Sequence, residues 1–167
     1  MNPSSPAASI TADQLRAACG EWATGVAVVT GTGQNGSALG MAVNSFSSLS
    51  LDPPLVLFCP AATSSTWPLI EVSGRFAVNI LTEEQHELAR VFAASGGDKF
   101  AAVETRDTAD GLPAIAEAGT RLVCSVRDTF PGGDHTIVVA NVEAVEHISE
   151  RPLVFHRGRT VRLHADS

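Results

Sequence analysis

The chain has no tyrosine, a single lysine (Lys99) and only 5% aromatic residues among 167 positions. Its 11 Lys and Arg face 18 Asp and Glu, which gives a formal net charge of −7. That shortage of cations excludes general nucleic-acid binding, which needs Lys and Arg to neutralise phosphates. Cysteine is scarce as well. Cys19, Cys59 and Cys124 are odd in number, far apart and without metal-ligand spacing, so they read as reduced thiols that pack as small hydrophobes. His86, His135, His147, His156 and His164 share no ligand spacing either, and no metal is expected. A nucleophile elbow of the G-x-S-x-G type is missing. No apolar run reaches membrane-spanning length, and Met1 to Ser9 lacks the charged and apolar parts of a signal peptide. The cytoplasm is the expected compartment.

What is present suits a globular protein: 44% hydrophobic and 17% charged residues. The expected organisation is a loose arm over residues 1–10 and one domain over 11–167. Thr11-Ala-Asp-Gln14 is a capping-box pattern and predicts a short helix through Leu15 and Cys19, ending near Gly20. Thr82-Glu-Glu-Gln85 repeats the pattern. Leu88, Val91 and Phe92 follow at helical spacing, and Gly96-Gly97 is the expected stop. The rest reads as strands: 25–30, 54–59, 75–81, 121–127 and 136–145. The near-continuous apolar run from Pro54 to Cys59 predicts burial on both faces. In 121–127, Leu122, Cys124 and Val126 fall on one side. Strands joined mostly by turns predict a mainly β fold, an antiparallel barrel with a few short helices.

Gly31-Thr-Gly33-Gln-Asn-Gly36 matches the dinucleotide fingerprint G-x-G-x-x-G and follows a strand. The fingerprint requires a helix to begin there, and none fits before the next strand. Asn35-Gly36 predicts a tight two-residue hairpin instead.

Four stretches could carry chemistry. Gly40 to Pro54 is rich in small hydroxyls between apolar strands, with Asn44, Ser45, Ser47, Ser48 and Ser50. Such groups suit a flat ring with carbonyls and ring nitrogens, and equally suit a loop whose hydroxyls satisfy turns. Ala61 to Pro68 predicts a short helix with Ser65 or Thr66 as cap, a place for a phosphate or an ordinary cap. Lys99-Phe100 sets a cation beside an aromatic. Gly132-Gly-Asp-His135 makes a turn that exposes Asp134 and His135 at a strand mouth.

Taken in order, these segments resemble the flavin reductase family, whose members serve two-component flavin-dependent monooxygenases. The resemblance runs from about Leu15 to Leu163. It rests on Ala23 to Thr30, Gly40 to Val56, Phe76 to Leu81, Gly133 to Ile137 and Pro152 to Gly158. It implies a Greek-key-like split β-barrel, a homodimer, and hydride transfer from NADH or NADPH to FMN or FAD. It implies flavin contacts from Met41, Ala42, Val43, Asn44, Ser45, Ser47 and Ser48, from Cys59, Pro60 and Ala61, and from Ser65 and Thr66 near the phosphate. Lys99 and Phe100 would close over the flavin. His135 would position the nicotinamide and is the candidate catalytic residue. Arg157 or Arg159 could meet a 2′-phosphate. A partner monooxygenase would receive the reduced flavin. The chain departs from the family in having no Tyr after Arg157-Gly158 and in having Trp22 where Phe is common. Two other readings of the same barrel are a flavin carrier or sensor without turnover and a deazaflavin enzyme.

Overall fold

A computed structural model describes residues 9–101, 103–147 and 150–163. Residues 1–8 of the expected arm, and His164, lie outside the described residues. The elements in chain order are α1 (Ala12–Gly20), β1 (Thr24–Gly25), β2 (Ala27–Thr32), β3 (Ala38–Val43), β4 (Ser47–Leu51), β5 (Pro54–Phe58), α2 (Trp67–Glu71) and β6 (Arg75–Ile80). There follow α3 (His86–Ala93), β7 (Thr105–Asp107), β8 (Pro113–Ile115), β9 (Thr120–Gly132), β10 (His135–His147), β11 (Val154–His156) and β12 (Arg159–Val161).

Seven antiparallel strands form the main sheet in the order β3-β2-β6-β9-β10-β5-β4. The two edge strands, β3 and β4, are sequence neighbours joined by Asn44 to Phe46, so the sheet is open at that seam. Its strands nevertheless enclose one core. Val29, Val43, Val56, Phe58, Phe76, Cys124 and Val138 come from six different strands and pack with Trp67 and Ile70 of α2. Phe58, Trp67 and Phe76 meet edge to face at centroid distances of 4.9 to 5.7 Å, the arrangement that aromatic quadrupoles favour. This is the expected mainly β, split-barrel fold. A second core lies on the opposite face of the sheet, where Val26, Val28, Leu81, Phe92, Ile115 and Leu153 meet.

The strand buried on both faces is therefore β2, whose Ala27 and Val29 enter one core while Val28 enters the other. β5 does not behave as expected. Val56 and Phe58 are buried, whereas Leu55 and Leu57 are only partly covered, because no second layer lies over the outer face of this near-edge strand. On β9 the expected side is correct: Cys124 is buried in the first core, and Leu122 and Val126 pack against it.

The capping box at Thr11 forms in full, with Gln14 N–H donating to Thr11 Oγ1 at 3.2 Å and Thr11 N–H to Gln14 Oε1 at 2.9 Å. At Thr82 only half the box exists. Gln85 Oε1 accepts from Thr82 N–H at 2.9 Å, but Thr82 sits in a bridge with Pro152, and α3 starts only at His86. The β2–β3 hairpin is also longer than expected. Gly33 N–H donates to the Ser37 carbonyl at 2.8 Å, and Gly36 alone is left-handed, at φ 79°. That is a three-residue loop of the type that ends in a left-handed glycine. Strand β3 follows it directly, so the fingerprint has no helix to act through.

Candidate functional site

The predicted site residues lie mostly along β3 and at its two ends. A cleft of about 820 Å³ opens at the C-terminal end of β3, within the usual range for small-molecule sites. Asn44 and Ser45 line it from the seam, Gly20 to Trp22 from the end of α1, and Phe155 and Arg157 from the β11–β12 hairpin. A smaller cleft of about 280 Å³ lies at the other end of β3, lined by Gly40, Ser65, Thr66, Lys99 and Phe100 among others. From Gly40 to Asn44 is four residues of strand, about 13 Å at ~3.3 Å per residue. Only an extended molecule, about as long as that strand segment, could reach both clefts. β3 is an edge strand, so its outward backbone N–H and C=O groups are free of a strand partner.

Local chemistry explains how the loops are held. Ser45 Oγ accepts from Cys59 N–H at 2.9 Å and reaches the Cys59 carbonyl at 3.2 Å, which ties the seam to the end of β5. Ser45 therefore acts first as a brace. Pro60 and Ala62 are bound in turn to the His135 turn. The Pro60 carbonyl accepts from Thr136 N–H at 3.0 Å, and Ala62 N–H donates to the Asp134 carbonyl at 2.9 Å. His135 Nδ1 pairs with Asp134 Oδ1 at 2.7 Å. That bond holds the Asp134 carboxyl below its ordinary range and leaves Nε2 as the nitrogen free to meet a ligand. The structure thus brings Cys59, Pro60 and Ala61 against His135, as expected, but His135 lines neither cleft.

At the smaller cleft the expected cap is replaced. Neither Ser65 nor Thr66 caps α2 with its side chain. Ser64 Oγ accepts from Thr66 N–H at 3.3 Å and from Trp67 N–H at 3.2 Å. The Ser65 and Thr66 hydroxyls consequently stay available to the cleft. Ser64 Oγ also faces Met41 Sδ at 3.8 Å. Lys99 is partly committed, since its ammonium donates to the Phe92 carbonyl at 3.1 Å and the Gly40 carbonyl at 3.3 Å. Burial pushes its pKa down. One of its three N–H donors remains. Phe100 stacks edge-on against Phe92 at 5.1 Å. Both rings crowd Gly40, where a Cβ would come 2.5 Å from Phe92 Cε1, so no side chain fits there without displacing them.

Other expected residues contribute less than their side chains promised. Val43 is buried in the first core, so only its backbone can face a ligand, and Ala42 packs toward the second. Ser47 Oγ donates to the Ser48 carbonyl on exposed β4. Burial raises the Cys59 thiol pKa and keeps it protonated and unreactive near neutrality. Arg157 is not free for a 2′-phosphate, because its guanidinium grips both carboxylate oxygens of Glu21 at 2.7 to 3.1 Å. Sequence reading missed Trp22, Thr24 and Phe155 on the larger cleft. Thr24 Oγ1 is buried without a hydrogen-bond partner among the described residues. An orphaned hydroxyl on a cleft wall fits a ligand that carries its own polar ring atoms. A flavin meets both observations, since its ring has carbonyls and nitrogens and its tail carries phosphate.

Comparison with known proteins agrees with this geometry. The reductase subunit HsaB of a flavin-dependent monooxygenase from Mycobacterium tuberculosis is 40% identical over 154 residues, covering 90% of this chain and 82% of that protein. SmoA of Agrobacterium fabrum, an FMN reductase (NADH), is 39% identical over 144 residues, covering 86% and 82%. Nitrilotriacetate monooxygenase component B of Mycobacterium thermoresistibile superposes with a TM-score of 0.87 at 40% identity, covering 91% of this chain and 86% of that one. Residues 19–164 match the family model described as flavin reductase like domain, and the chain belongs to that family.

Proposed function

We propose that this protein is an NADH-dependent flavin reductase that passes reduced flavin to a separate monooxygenase. The observation that carries this reading is β3 as a free edge between two clefts of unlike chemistry. The larger has Asn44, the unpartnered Thr24 hydroxyl and apolar walls that suit a ring. The smaller has Ser65, Thr66 and Lys99, which suit a phosphate. When bound, flavin supplies the redox chemistry by accepting hydride from the nicotinamide. The chain's own work is to hold and orient. The edge backbone of Met41 to Asn44 offers donors and acceptors in fixed positions. Ser45 and Cys59 lock the seam against β5, and the Asp134 carboxylate fixes which nitrogen His135 presents outward.

The wall of the larger cleft also bears on the choice of hydride donor. Its two arginines are already paired, Arg16 with Asp13 at 2.7 Å and Arg157 with Glu21 at 2.7 Å. A 2′-phosphate would have to break one of these pairs. Under anaerobic conditions the protein is expected to oxidise NADH and bleach flavin. NADH should be favoured over NADPH by about tenfold or more in kcat/KM, the scale of one lost or gained polar contact. Failure of both donors to reduce FMN or FAD would leave a carrier or sensor module. A bound chromophore with a deazaflavin spectrum would point to the third reading.

We also infer a homodimer. Leu51 is 93% exposed and Leu49 48% exposed on edge strand β4, and Phe130 is 51% exposed on β9. Large apolar side chains on and near an unpaired edge are a hazard unless a partner covers them. Analytical ultracentrifugation should return twice the chain mass. A monomer at micromolar concentration, with Leu49→Glu changing nothing, would remove the dimer from the reading.

A further inference from the structure

We infer that the smaller cleft holds the adenosine half of FAD, so that this reductase selects FAD over FMN. The inference rests on the flavin reading above and concerns only which flavin that site takes. Three observations carry it. The first is room. The cleft beside Ser65 and Thr66 measures about 280 Å³, roughly nine times the ~30 Å³ share of a water molecule in the liquid. A terminal phosphate, with its few heavy atoms, leaves most of that space unfilled, whereas a purine nucleoside is of that scale.

The second is charge. The formal charges on the cleft wall are Lys99 and Asp98, which sum to zero. Lys99 has already given two donors to backbone carbonyls, and Asp98 accepts from Phe100 N–H at 3.0 Å. A phosphate monoester such as that of FMN carries about −1.5 to −2 at neutral pH. It would concentrate that charge opposite one remaining ammonium donor and a carboxylate. The pyrophosphate of FAD spreads its charge over two groups, one unit each, and two neutral hydroxyls with one N–H can serve them.

The third is an apolar platform. Leu69 lines the same cleft and is 53% exposed, an uncovered leucine beside a polar floor. FMN ends before it, and an adenine could lie over it and remove that surface from water.

The test is equilibrium binding, independent of turnover. The apo full-length chain is titrated with FAD and with FMN, followed by flavin fluorescence at fixed ionic strength. FAD is expected to bind about tenfold more tightly than FMN, the gain from covering one exposed leucine and easing one charge. Ala38→Phe, an exposed position on the cleft rim, should weaken FAD about tenfold and leave FMN within about twofold. Leu69→Ala, a milder change, should weaken FAD alone by a smaller factor. Equal affinity for the two flavins, or equal weakening of both by either variant, would overturn the inference and leave the flavin reading intact. Binding of neither flavin by the unaltered chain would overturn both.

Discussion

Replacing Asn79 with leucine is expected to cost the fold about 3 kcal/mol, the penalty for leaving two or more buried polar groups without partners. Asn79 is fully buried between the strands and uses both ends of its amide. Its Nδ2 donates to the Val28 carbonyl at 2.9 Å and to Thr30 Oγ1 at 3.0 Å. Its Oδ1 accepts from Ile115 N–H at 2.9 Å and more distantly from Arg121 Nε at 3.4 Å. Thr30 in turn donates to the Pro113 carbonyl, and the buried Arg121 reaches both the Ile115 carbonyl and Glu146. One side chain thereby fixes β8 to β2 and β6, and aligns the only charged residue among the buried ones described. Leucine has similar volume but can neither donate nor accept. Thermal unfolding should fall by roughly 6–12 °C for a domain of this size, and urea titration should give a matching loss. A change below about 1 kcal/mol would show that the network is relieved by water or relaxation. Flavin affinity should be unaffected, since none of these residues lines either cleft.

His135→Ala is expected to slow hydride transfer by about ten- to a hundredfold, the range for an ångström-scale loss of alignment between reacting groups. Flavin affinity should change by less than about threefold, because His135 stands outside both clefts. The backbone around it will stay in place, since Thr136 N–H and the Asp134 carbonyl keep their bonds to Pro60 and Ala62. Stopped-flow reduction of pre-bound flavin separates the two effects. Equal losses in hydride transfer and flavin binding would make His135 a flavin or structural contact rather than a residue that positions the nicotinamide.

Much of the fold could be read from the sequence where the cause was local. The Thr11 box needs only residues 11 and 14 to agree, and it forms as written. The alternation of Leu122, Cys124 and Val126 needs only a strand with one covered face. The misreadings share a different cause, contacts set by distant residues. Thr82 looked like Thr11, but a bridge to Pro152 fixes its backbone. β5 looked doubly buried because its residues are apolar, while burial depends on what lies over each face. Arg121 looked like a solvated strand end, and its burial is made by Asn79 and Glu146, neither of them a neighbour in sequence. In the site, residue types were legible and their assignments were not. Three hydroxyls in a row at 64–66 give no local sign of which one caps, and Ser45 gives none that it braces Cys59. Thr24 fell inside a segment that carried the family resemblance, and its orphaned hydroxyl becomes visible only once the cleft exists.

The first helix stands apart from both cores. None of its nine residues is buried. What fastens its end is the Glu21–Arg157 pair and one backbone bond from Arg157 N–H to the Gly20 carbonyl at 3.0 Å. Segments with few apolar contacts open at far lower cost than the body of a domain. The cleft that would receive the nicotinamide thus has one rigid jamb, the seam of the sheet, and one that swings. A dinucleotide can enter and leave by parting a single solvent-exposed clasp while the barrel keeps its shape, so the traffic demanded by repeated turnover need not compete with the stability of the fold.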